Sequence, residues 1–479
     1  MTDLALILPE ATLLGLACAV LLIDAFLGRR NPDTTFWASV ISCVVVLAQV
    51  ARFVPEKTLF AYAGTLRIDV LGVVLKTFLV SLVLLSFFYA REYFSRRQGE
   101  IRGEYYPLAL FATLGMMVLV SSSSLLTVYL GLELLSLSLY SMVAIQRDSL
   151  AASEAAMKYF ILGALASGLL LYGMSMLYGV AGTLDLTELL VKINNLESQR
   201  LLLTFGLVFL VVGIAFKLGV VPFHMWVPDV YQGAATPVTQ FIGTAPKIAA
   251  FGMAMRLLVD GLEGLAEHWQ QMLVVLSLLS MGVGNLLAIA QTNFKRMLAY
   301  STIAHMGFLL LGLIASNAAG YAASMFYVSL YALMSMGAFG SIILLSSREK
   351  EAEQLSDLAG LGRRNPWFAL ILLILMFSMA GVPPFGGFWA KWSVLKEVIA
   401  ADYVWLAGCA VVFSLIGAFY YLRVVKVMYF DEPEGAGGTV ASADLKLILS
   451  VNGLAVLILG LMPNALMAVC LSATVPYGP

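Results

Sequence analysis

The sequence predicts an all-α integral membrane protein with about fourteen transmembrane helices. Apolar residues make up 61% of the 479 positions and charged residues only 12%, whereas soluble domains average about 45–50% apolar and about 25% charged. The apolar residues gather in stretches of about 20, the length that a helix needs to cross the hydrocarbon core. Strands of a membrane barrel would be about 10 residues long with strict alternation, so the length of the stretches favours helices.

Reading along the chain locates the spans in order. The first apolar stretch follows no basic segment and has no clear cleavage site, so it is predicted to be a retained helix and not a signal peptide. The spans lie near 4–27, 35–53, 70–90, 107–122, 124–146, 154–180, 201–220, 237–259, 270–290, 297–315, 321–346, 367–382 with a continuation to about 400, 403–428 and 445–468. The polar stretches between them are short, which predicts one polytopic membrane domain over 1–479.

Lysine and arginine in the short loops predict the orientation, because they concentrate on the cytoplasmic side. With the N-terminus outside, the cytoplasmic loops hold Arg29, Arg30, Arg91, Arg96, Arg97, Arg102, Arg147, Lys295, Arg296, Arg348, Lys350, Arg363, Arg364, Arg423, Lys426 and Lys446. The other side holds only Arg52, Lys57, Arg67, Lys192, Arg200 and at most Arg256. Both termini are therefore predicted to face the periplasm.

Two segments of the chain share the pattern G-V-x-P-F, at Gly219–Phe223 and Gly381–Phe385. Each interrupts a long apolar stretch, and proline breaks a helix because it lacks an N–H and clashes with the preceding turn. The segments lie five spans apart, which predicts two repeats of inverted topology, 107–262 and 270–428, with the broken helices at the transport site. The alternative is that the prolines only shape helix packing. Pro246 is predicted to kink a further helix.

Ionisable residues inside the spans need a reason, because a charge at the bilayer centre costs about 2.5–3.5 kcal/mol even on a mild scale. The candidates are Glu133, Lys158, Lys217, His224, Lys247, His305 and Lys391. They are spread over at least six helices and form no compact catalytic site. This spread predicts a relay in which protons hop between titratable groups and trapped waters.

Lys217 lies one turn before the first break, and Glu133 is the carboxylate predicted to pair with it. Burial favours the neutral form of a lysine, whereas a nearby carboxylate favours the ammonium, so such a lysine can change protonation when a charge moves. Lys391 follows the second break and mirrors Lys217 loosely. Alternative interpretations stay open: Glu133 as a structural partner, Lys158 extended to the interface, and the histidines as hydrogen-bonded core residues.

Other charged residues receive no relay role. Lys76 and Lys396 are interpreted as packing or reaching to the interface, Lys295 and Arg296 as cytoplasmic-loop charges, and His268 as part of an acidic outer loop. Asp24, Glu10 and Asp229 lie near span ends.

Several kinds of chemistry have no motif in the sequence. Cys18, Cys43, Cys409 and Cys470 lie far apart in apolar stretches and form no CxxC pair, so they are interpreted as small hydrophobic residues. No G-x-G-x-x-G pattern follows a strand, and there is no Walker A loop. The chain is therefore predicted to bind no nucleotide, flavin, haem or metal of its own, and its driving energy must come from elsewhere.

Five stretches resemble subunit N of bacterial NADH–quinone oxidoreductase, respiratory complex I, in the wider group of antiporter-like subunits. They are LGLELLSLSLY, KYFILGALASGLLLYG, FKLGVVPFHMWVPDVYQGAATPVTQFIGTAPKIAAF, RMLAYSTIAHMGFLLLGL and LAGLGRRNPWFALILLILMFSMAGVPPFGGFWAKW. The resemblance covers nearly the whole chain. The largest member of the group carries a long lateral helix after its last span, which this sequence lacks.

The resemblance implies fourteen helices with two inverted five-helix repeats in the membrane arm of an inner-membrane translocase. It implies neighbours that are another antiporter-like subunit and small hydrophobic subunits, with FMN, iron–sulfur clusters and quinone on partner subunits. Quinone reduction there would drive proton pumping. It also implies residue roles: Glu133 and Lys217 as a coupled pair, Lys247 as the central lysine, Lys391 as the terminal group, and Lys158, His224 and His305 along the path.

Three alternatives to a proton-translocating subunit remain at this stage. A Na⁺/H⁺ antiporter subunit would need a cation site of carboxylates and carbonyls, and Glu133 is the only acid at mid-depth in a predicted span. A passive scaffold would only complete a membrane arm. A quinone-binding enzyme would need a compact polar pocket, which the sequence does not indicate.

Overall fold

A computed structural model of the chain describes residues 2–28, 32–96, 103–193, 199–347, 350–432 and 442–475. These residues are overwhelmingly helical, which confirms the predicted all-α class. Five of the arginines used to predict the orientation lie outside the described residues, namely Arg29, Arg30, Arg97, Arg102 and Arg348. The periplasmic location of the termini stays a prediction.

The α-helices run in this order: α1 Asp3–Leu6, α2 Leu8–Ile23, α3 Pro32–Arg52, α4 Val70–Arg96, α5 Tyr105–Ser121, α6 Leu125–Val143, α7 Leu150–Ala181, α8 Leu186–Ile193, α9 Arg200–Leu218, α10 Trp226–Gly233, α11 Thr236–Ile242, α12 Ala245–Ala254, α13 Ala266–Ile289, α14 Phe294–Ile314, α15 Ala318–Leu345, α16 Leu361–Arg364, α17 Pro366–Ala380, α18 Gly386–Ala400, α19 Val404–Phe430, α20 Ala443–Leu461 and α21 Pro463–Thr474. Strands β1 Leu59–Ala61 and β2 Leu66–Ile68 form an antiparallel hairpin between α3 and α4. Short π-helical segments cover Asp24–Gly28 and Met255–Gly261, and single 3₁₀ turns cover Glu263–Leu265 and Leu355–Leu358.

Twelve helical segments of the described chain are long and apolar enough to cross a membrane. Three shorter apolar helices accompany them, at Tyr105–Ser121, Pro366–Ala380 and Pro463–Thr474. The last predicted span, 445–468, is two helices in the structure, because Pro463 starts a new helix at a position where no N–H donor is required. The figure of fourteen spans stays a prediction.

Both predicted breaks are present. Helix α9 ends at Leu218 and α10 begins only at Trp226, while α17 ends at Ala380 and α18 begins at Gly386. The residue after each ending helix is a glycine with positive φ, +77° at Gly219 and +86° at Gly381. A side chain is strained in that conformation, so glycine is the residue that ends a helix this way at low cost.

Serine hydroxyls accept main-chain N–H groups close to both breaks. The N–H of Val221 donates to Ser280 Oγ at 2.9 Å, and the N–H of Gly387 donates to Ser378 Oγ at 3.0 Å. An unpaired main-chain group at membrane depth costs several kcal/mol, so these hydroxyls stabilise the non-helical backbone at Val221 and the first turn of α18 at Gly387. The relation of the two breaks by an inverted repeat stays a prediction.

The predicted kink at Pro246 is a full interruption two residues earlier. Helix α11 ends at Ile242 and α12 begins at Ala245. Pro246 is the second residue of α12, and the first turn of a helix needs no N–H donors from its own residues. The proline therefore starts α12 and does not bend an existing helix.

The chain packs as two compact units. The first comprises 1–84, 102–218 and 245–273, and the second 85–101, 219–244 and 274–479. Within the first unit α5 and α6 approach so closely that a Cβ added to Gly115 would lie 2.6 Å from the main-chain N of Leu135. Small residues permit such contacts where lipid offers no hydrophobic driving force between helices. The repeats 107–262 and 270–428 stay a prediction, since these units reflect packing and not internal symmetry.

A buried network of charges, here called the Arg256 network, joins the β-hairpin to the segment after α12. Arg256 is fully buried, donates through both terminal nitrogens to the Asp69 carboxylate at 2.8 Å, and bonds Asp260 Oδ2 at 3.0 Å. Its Nε donates to Val120 O at 2.8 Å. Arg67 bonds the same carboxylates at 2.9 and 2.7 Å. Two guanidinium groups and two carboxylates therefore balance in charge.

Arg256 is a buried network residue and not a loop charge, while the side of the membrane on which it lies stays a prediction. Residue 256 lies near the end of the predicted span 237–259, and the hairpin that buries it lies almost 190 positions earlier in the chain. Burial alone raises the pKa of Asp69, but Arg256 and Arg67 outweigh that effect and hold the pKa well below its ordinary value. Asp69 also accepts the N–H of Gly72 at 2.8 Å, which fixes the start of α4.

Candidate functional site

Lys217 is buried in the last turn of α9, with 6% of its surface exposed. Its Nζ donates to the Ser136 hydroxyl of α6 at 2.9 Å, and that hydroxyl donates to Leu132 O at 2.6 Å. Glu133 lies one turn before Ser136 on the same helix, so the serine lies close to both predicted partners. The lysine is therefore held by a neutral acceptor on the helix that carries the carboxylate.

The predicted direct pairing of Glu133 with Lys217 is not formed as an ion pair in the described part of the chain. Glu133 is half-buried, and its Oε1 is buried without a hydrogen-bond partner. The carboxylate still acts on Lys217 through space. An unsatisfied buried carboxylate oxygen costs free energy, which a further hydrogen-bond donor would recover.

A small cavity adjoins Lys217. Its volume is about 10 Å³, and Ser136, Tyr140, Gly163 and Ser167 are among the residues that line it. A space of that size holds about one water molecule, provided that polar groups surround it. Hydroxyls and the ammonium supply those groups. Gly163 and Ser167, four residues apart on α7, face this cavity, and a Cβ at Gly163 would collide with the Tyr140 hydroxyl.

Lys247 lies in the first turn of α12 and is 1% exposed. Its Nζ donates to Leu218 O at 2.8 Å and contacts Lys217 O at 3.4 Å. Those carbonyls belong to the end of α9, where the break removes the N–H groups that would continue the helix. The Lys247 amine therefore supplies a donor for the carbonyls that the break leaves unpaired, and it binds the end of the helix that carries Lys217.

Lys391 repeats this arrangement in the second unit. It lies on α18 with 8% exposed, and its Nζ donates to Ala380 O at 2.8 Å and to Ser414 Oγ at 2.9 Å. Ala380 is the last residue of α17, just before Gly381. The sequence related Lys391 loosely to Lys217, but its contacts match those of Lys247, which also binds the last carbonyl before a break.

His305 is 4% exposed in the middle of α14. Its Nδ1 lies 2.7 Å from the Tyr327 hydroxyl and its Nε2 lies 2.9 Å from the Tyr421 hydroxyl. These tyrosines were not predicted from the sequence. A signal was available, since tyrosine in a span is usual at the membrane interface, whereas these two lie within long spans and need a partner for the hydroxyl.

The other two candidates lie apart from these contacts. His224 lies in the turn that follows Pro222, is half-buried, and has no hydrogen-bond partner at Nδ1. Lys158 lies on the surface of α7 with 44% of its side chain exposed, and it pairs with Glu154 at 2.8 Å. Its exposure agrees with the open alternative that it reaches towards the interface.

Lys295 is not a loop charge, which corrects the sequence interpretation. It is 1% exposed at the start of α14, and its Nζ donates to Ala234 O at 2.8 Å and to Glu351 Oε2 at 3.1 Å. Thr236 also donates to that carboxylate oxygen at 2.8 Å, and the Tyr93 hydroxyl bonds the other one. The loop around Glu351 folds over the helix end and buries the charge, which local sequence cannot show.

The remaining charges behave as ordinary partners. Arg296 pairs with Asp229 at 2.8 Å, both partly exposed, so Asp229 does have a structural partner. Lys76 and Glu10 form a buried ion pair, and Lys396 is 69% exposed beside Glu397. In the part of the chain that the structure describes, no group of three or more His, Cys, Asp or Glu side chains could hold a metal ion.

Residues 122–417, more than half of the chain, match the family model described as NADH:quinone oxidoreductase/Mrp antiporter, TM. The chain is 54% identical over 465 residues to a Nitrosomonas europaea protein, covering 97% of this chain and 96% of that one. It is 53% identical over 466 residues to a Thiobacillus denitrificans protein, covering 97% and 96%. Both relatives are named NADH-quinone oxidoreductase subunit N.

Solved structures agree with these relatives. A chain of respiratory complex I from Thermus thermophilus with bound aureothin is 33% identical, with a TM-score of 0.82 over 96% of this chain and 98% of that one. A chain of the Mrp complex from Dietzia sp. is 21% identical with a TM-score of 0.83 over 98% and 97%, which shows a shared fold alone. From the near full-length identity and the family match, the chain belongs to the subunit N family of the NADH–quinone oxidoreductases, within the antiporter-like membrane subunits.

Proposed function

We propose that the chain translocates protons as a membrane-arm subunit of NADH–quinone oxidoreductase, through Lys217, Lys247, His305 and Lys391. The observation that carries the proposal is the way the three lysines are held. Each is at most 8% exposed, and each donates to a serine hydroxyl or to a main-chain carbonyl at a broken helix. Neutral acceptors stabilise an ammonium less than a carboxylate does, so its proton occupancy depends on nearby charges.

In the first unit the charge of Glu133 biases Lys217. A change of charge at a neighbouring subunit that draws Glu133 away removes attraction for the Lys217 proton, which then passes towards Lys247. Lys247 Nζ lies 3.4 Å from the main-chain O of Lys217, at the end of the helix that carries Lys217. The two lysines interact electrostatically, and repulsion between like charges disfavours simultaneous ionisation, which supports alternate occupancy of the two lysines.

In the second unit His305 and Lys391 carry the proton further. Phe308 follows His305 by one turn of α14, and Lys391 Nζ lies 5.1 Å from the centre of its ring. Lys391 is then the terminal group. Glu133, His224 and Lys158 complete the proposed path as its input and connecting members.

The proposal includes the setting of the chain. The energy comes from quinone reduction on partner subunits, which hold FMN, iron–sulfur clusters and quinone. The chain lies in the bacterial inner membrane with both termini periplasmic, next to another antiporter-like subunit and small hydrophobic subunits. The names of the relatives and the membrane-arm chain of complex I support this setting.

Replacing Lys391 by alanine is expected to reduce pumping sharply, because the last carbonyl before the second break loses its titratable donor. The measurement is NADH-driven acidification of inverted membrane vesicles, with NADH:ferricyanide activity to verify assembly. Lys396→Ala is the matched control, since Lys396 lies on the same helix but is 69% exposed, and it should pump normally.

Normal pumping by an assembled Lys391→Ala complex would count against the proposal. Sodium-dependent transport in the same vesicles would favour the antiporter alternative. Pumping that persists after all the buried lysines are replaced would favour the scaffold alternative.

A further inference from the structure

A continuous chain of hydrogen-bonded side chains runs through His305. It comprises Ser301, Tyr421, His305 and Tyr327, each at most 4% exposed. The Ser301 hydroxyl bonds the Tyr421 hydroxyl, which lies 2.9 Å from His305 Nε2, and His305 Nδ1 lies 2.7 Å from the Tyr327 hydroxyl. We call these four residues the His305 wire. All four belong to the second unit.

In each tautomer, a neutral imidazole polarises the hydrogen bonds of the wire in one direction. One ring nitrogen carries a proton and donates, and the other accepts. Since a tyrosine hydroxyl lies at each nitrogen, one tyrosine must accept from the ring while the other donates to it. Every hydroxyl in the wire both donates and accepts in principle, so the same atoms can be polarised either way.

We propose that Tyr421 and Tyr327 are relay residues that pass protons through His305 by exchange of its tautomers, an inference that rests on the proposed function. A proton enters at the Ser301 oxygen, and Ser301 passes its own hydroxyl proton to the Tyr421 oxygen. Tyr421 gives its former hydroxyl proton to Nε2, Nδ1 gives its proton to the Tyr327 oxygen, and Tyr327 releases its original proton. One proton enters, one leaves, and each residue ends with the number it started with.

The exit end lies on the side of Lys391. The Phe308 ring stacks on Tyr327 with centres 6.2 Å apart and planes 9° apart, and the same ring lies 5.1 Å from Lys391 Nζ. Tyr327 and the group proposed as terminal therefore share one aromatic neighbour, Phe308. This gives His305 a reason to contact hydroxyls and not carboxylates, because the tautomer exchange leaves no net charge in the apolar interior.

Neighbouring tyrosines show that the hydroxyl positions are selective. Tyr331 places its ring 5.1 Å from the His305 ring, yet its hydroxyl donates to Thr302 Oγ1 at 2.7 Å. Tyr420 is adjacent to Tyr421 in the chain and equally buried, and its hydroxyl donates to Asn285 Oδ1 at 3.0 Å and also contacts Tyr421 and Ser301, but it does not bond the imidazole in the described contacts. Only two of these four tyrosines bond the imidazole in the described contacts, so proximity of the ring alone does not place a hydroxyl in the wire.

The first test replaces Tyr421 and Tyr327 singly by phenylalanine, with Tyr331→Phe as the matched control, because the Tyr331 ring lies beside His305 but its hydroxyl bonds Thr302. Pumping is measured in inverted vesicles that contain the whole complex, normalised to NADH:ferricyanide activity. Removing a positioned acid–base group slows proton transfer on the order of 10²-fold, so both variants should lose most of their pumping. The control should keep it.

The second test separates proton transfer from mere support of the imidazole ring. Incorporation of 3-fluorotyrosine at position 421 keeps the hydrogen bond and makes the hydroxyl more acidic. The pH profile of pumping should then move to lower pH, whereas the same replacement at position 331 should leave the profile unchanged. A profile that stays in place with normal pumping would overturn the proposal.

His305→Gln distinguishes failure of the His305 wire from failure of the proposed function. If it loses pumping while Tyr421→Phe and Tyr327→Phe pump normally, the wire is overturned and the proposed function stands. If His305→Gln and Lys391→Ala both pump normally, the proposed function and the wire fail together.

Discussion

Replacing Lys247 by alanine is expected to abolish proton pumping by the assembled complex while electron transfer from NADH to ferricyanide stays unchanged. Lys247 is 1% exposed and holds the carbonyls at the end of α9, beside the backbone of Lys217. Alanine removes the only titratable atom of the side chain, and a missing acid–base group slows proton transfer about 10²- to 10⁴-fold. Lys217→Ala should have the same effect.

Two further variants separate a missing proton site from a missing side-chain volume. Lys247→Met keeps most of the volume and should also fail to pump, because the thioether does not titrate. The double variant Lys76→Met with Glu10→Gln removes another buried lysine and its partner in the same unit and should pump normally. Normal stoichiometry in Lys247→Ala and Lys217→Ala would remove the relay.

Replacing Arg256 by alanine is expected to destabilise the chain by about 3–5 kcal/mol, because it leaves a buried carboxylate without compensation. The Arg256 network contains two cations and two anions, so the variant keeps Arg67 against both Asp69 and Asp260. The measurement is the thermal midpoint of the purified complex in mild detergent and the amount assembled in membranes. A loss of this size is expected to prevent assembly at the growth temperature.

Arg296→Ala is the matched control for that experiment. It also breaks an arginine–aspartate pair, but both partners are about 30% exposed, so the loss should be no more than about 1 kcal/mol. Arg256→Met combined with Asp69→Asn leaves the Arg67–Asp260 pair balanced and should recover part of the loss. Equal stability of Arg256→Ala and Arg296→Ala would show that the network contributes little.

The network also predicts a direction of pH dependence. The folded pKa of Asp69 lies below its unfolded value of about 3.9, so the carboxylate stabilises the fold above that pH. This stabilisation is lost as the pH falls through the folded pKa. Below about pH 4 the wild type should therefore lose stability more steeply than Asp69→Asn, measured by the same thermal midpoint.

The sequence could predict the breaks and the lysines because both are local signals. A glycine followed by proline two or three residues later in an apolar stretch favours the end of a helix, and a lysine in such a stretch needs a partner. The partners themselves could not be predicted, since Ser136 lies 81 positions before Lys217 and a serine is unremarkable in a membrane helix. Which distant hydroxyl meets the ammonium is decided by packing between helices.

Lys295 is a residue whose local sequence predicted the wrong environment. Lys295 and its neighbour Arg296 look like a pair of cytoplasmic-loop charges, and Arg296 is indeed partly exposed. Adjacent residues on a helix point about 100° apart, so one can be buried while the next reaches water. Glu351, 56 positions away, completes the burial of Lys295. Neither the direction of the Lys295 side chain nor its partner could be predicted from the sequence.

The shared contact of Lys247 and Lys391 with the last carbonyl before a break has a mechanical consequence. A charged donor bonds a carbonyl about twice as strongly as a neutral amine does. Loss of the proton therefore weakens the contact that holds the end of the interrupted helix, which is here called the hinge. Binding equilibria are reciprocal: whatever pulls the hinge apart lowers the affinity of the amine for its proton. Titration and backbone movement are then a single equilibrium at each interruption, and under the proposed function this equilibrium is where movement of a neighbouring subunit would release a proton.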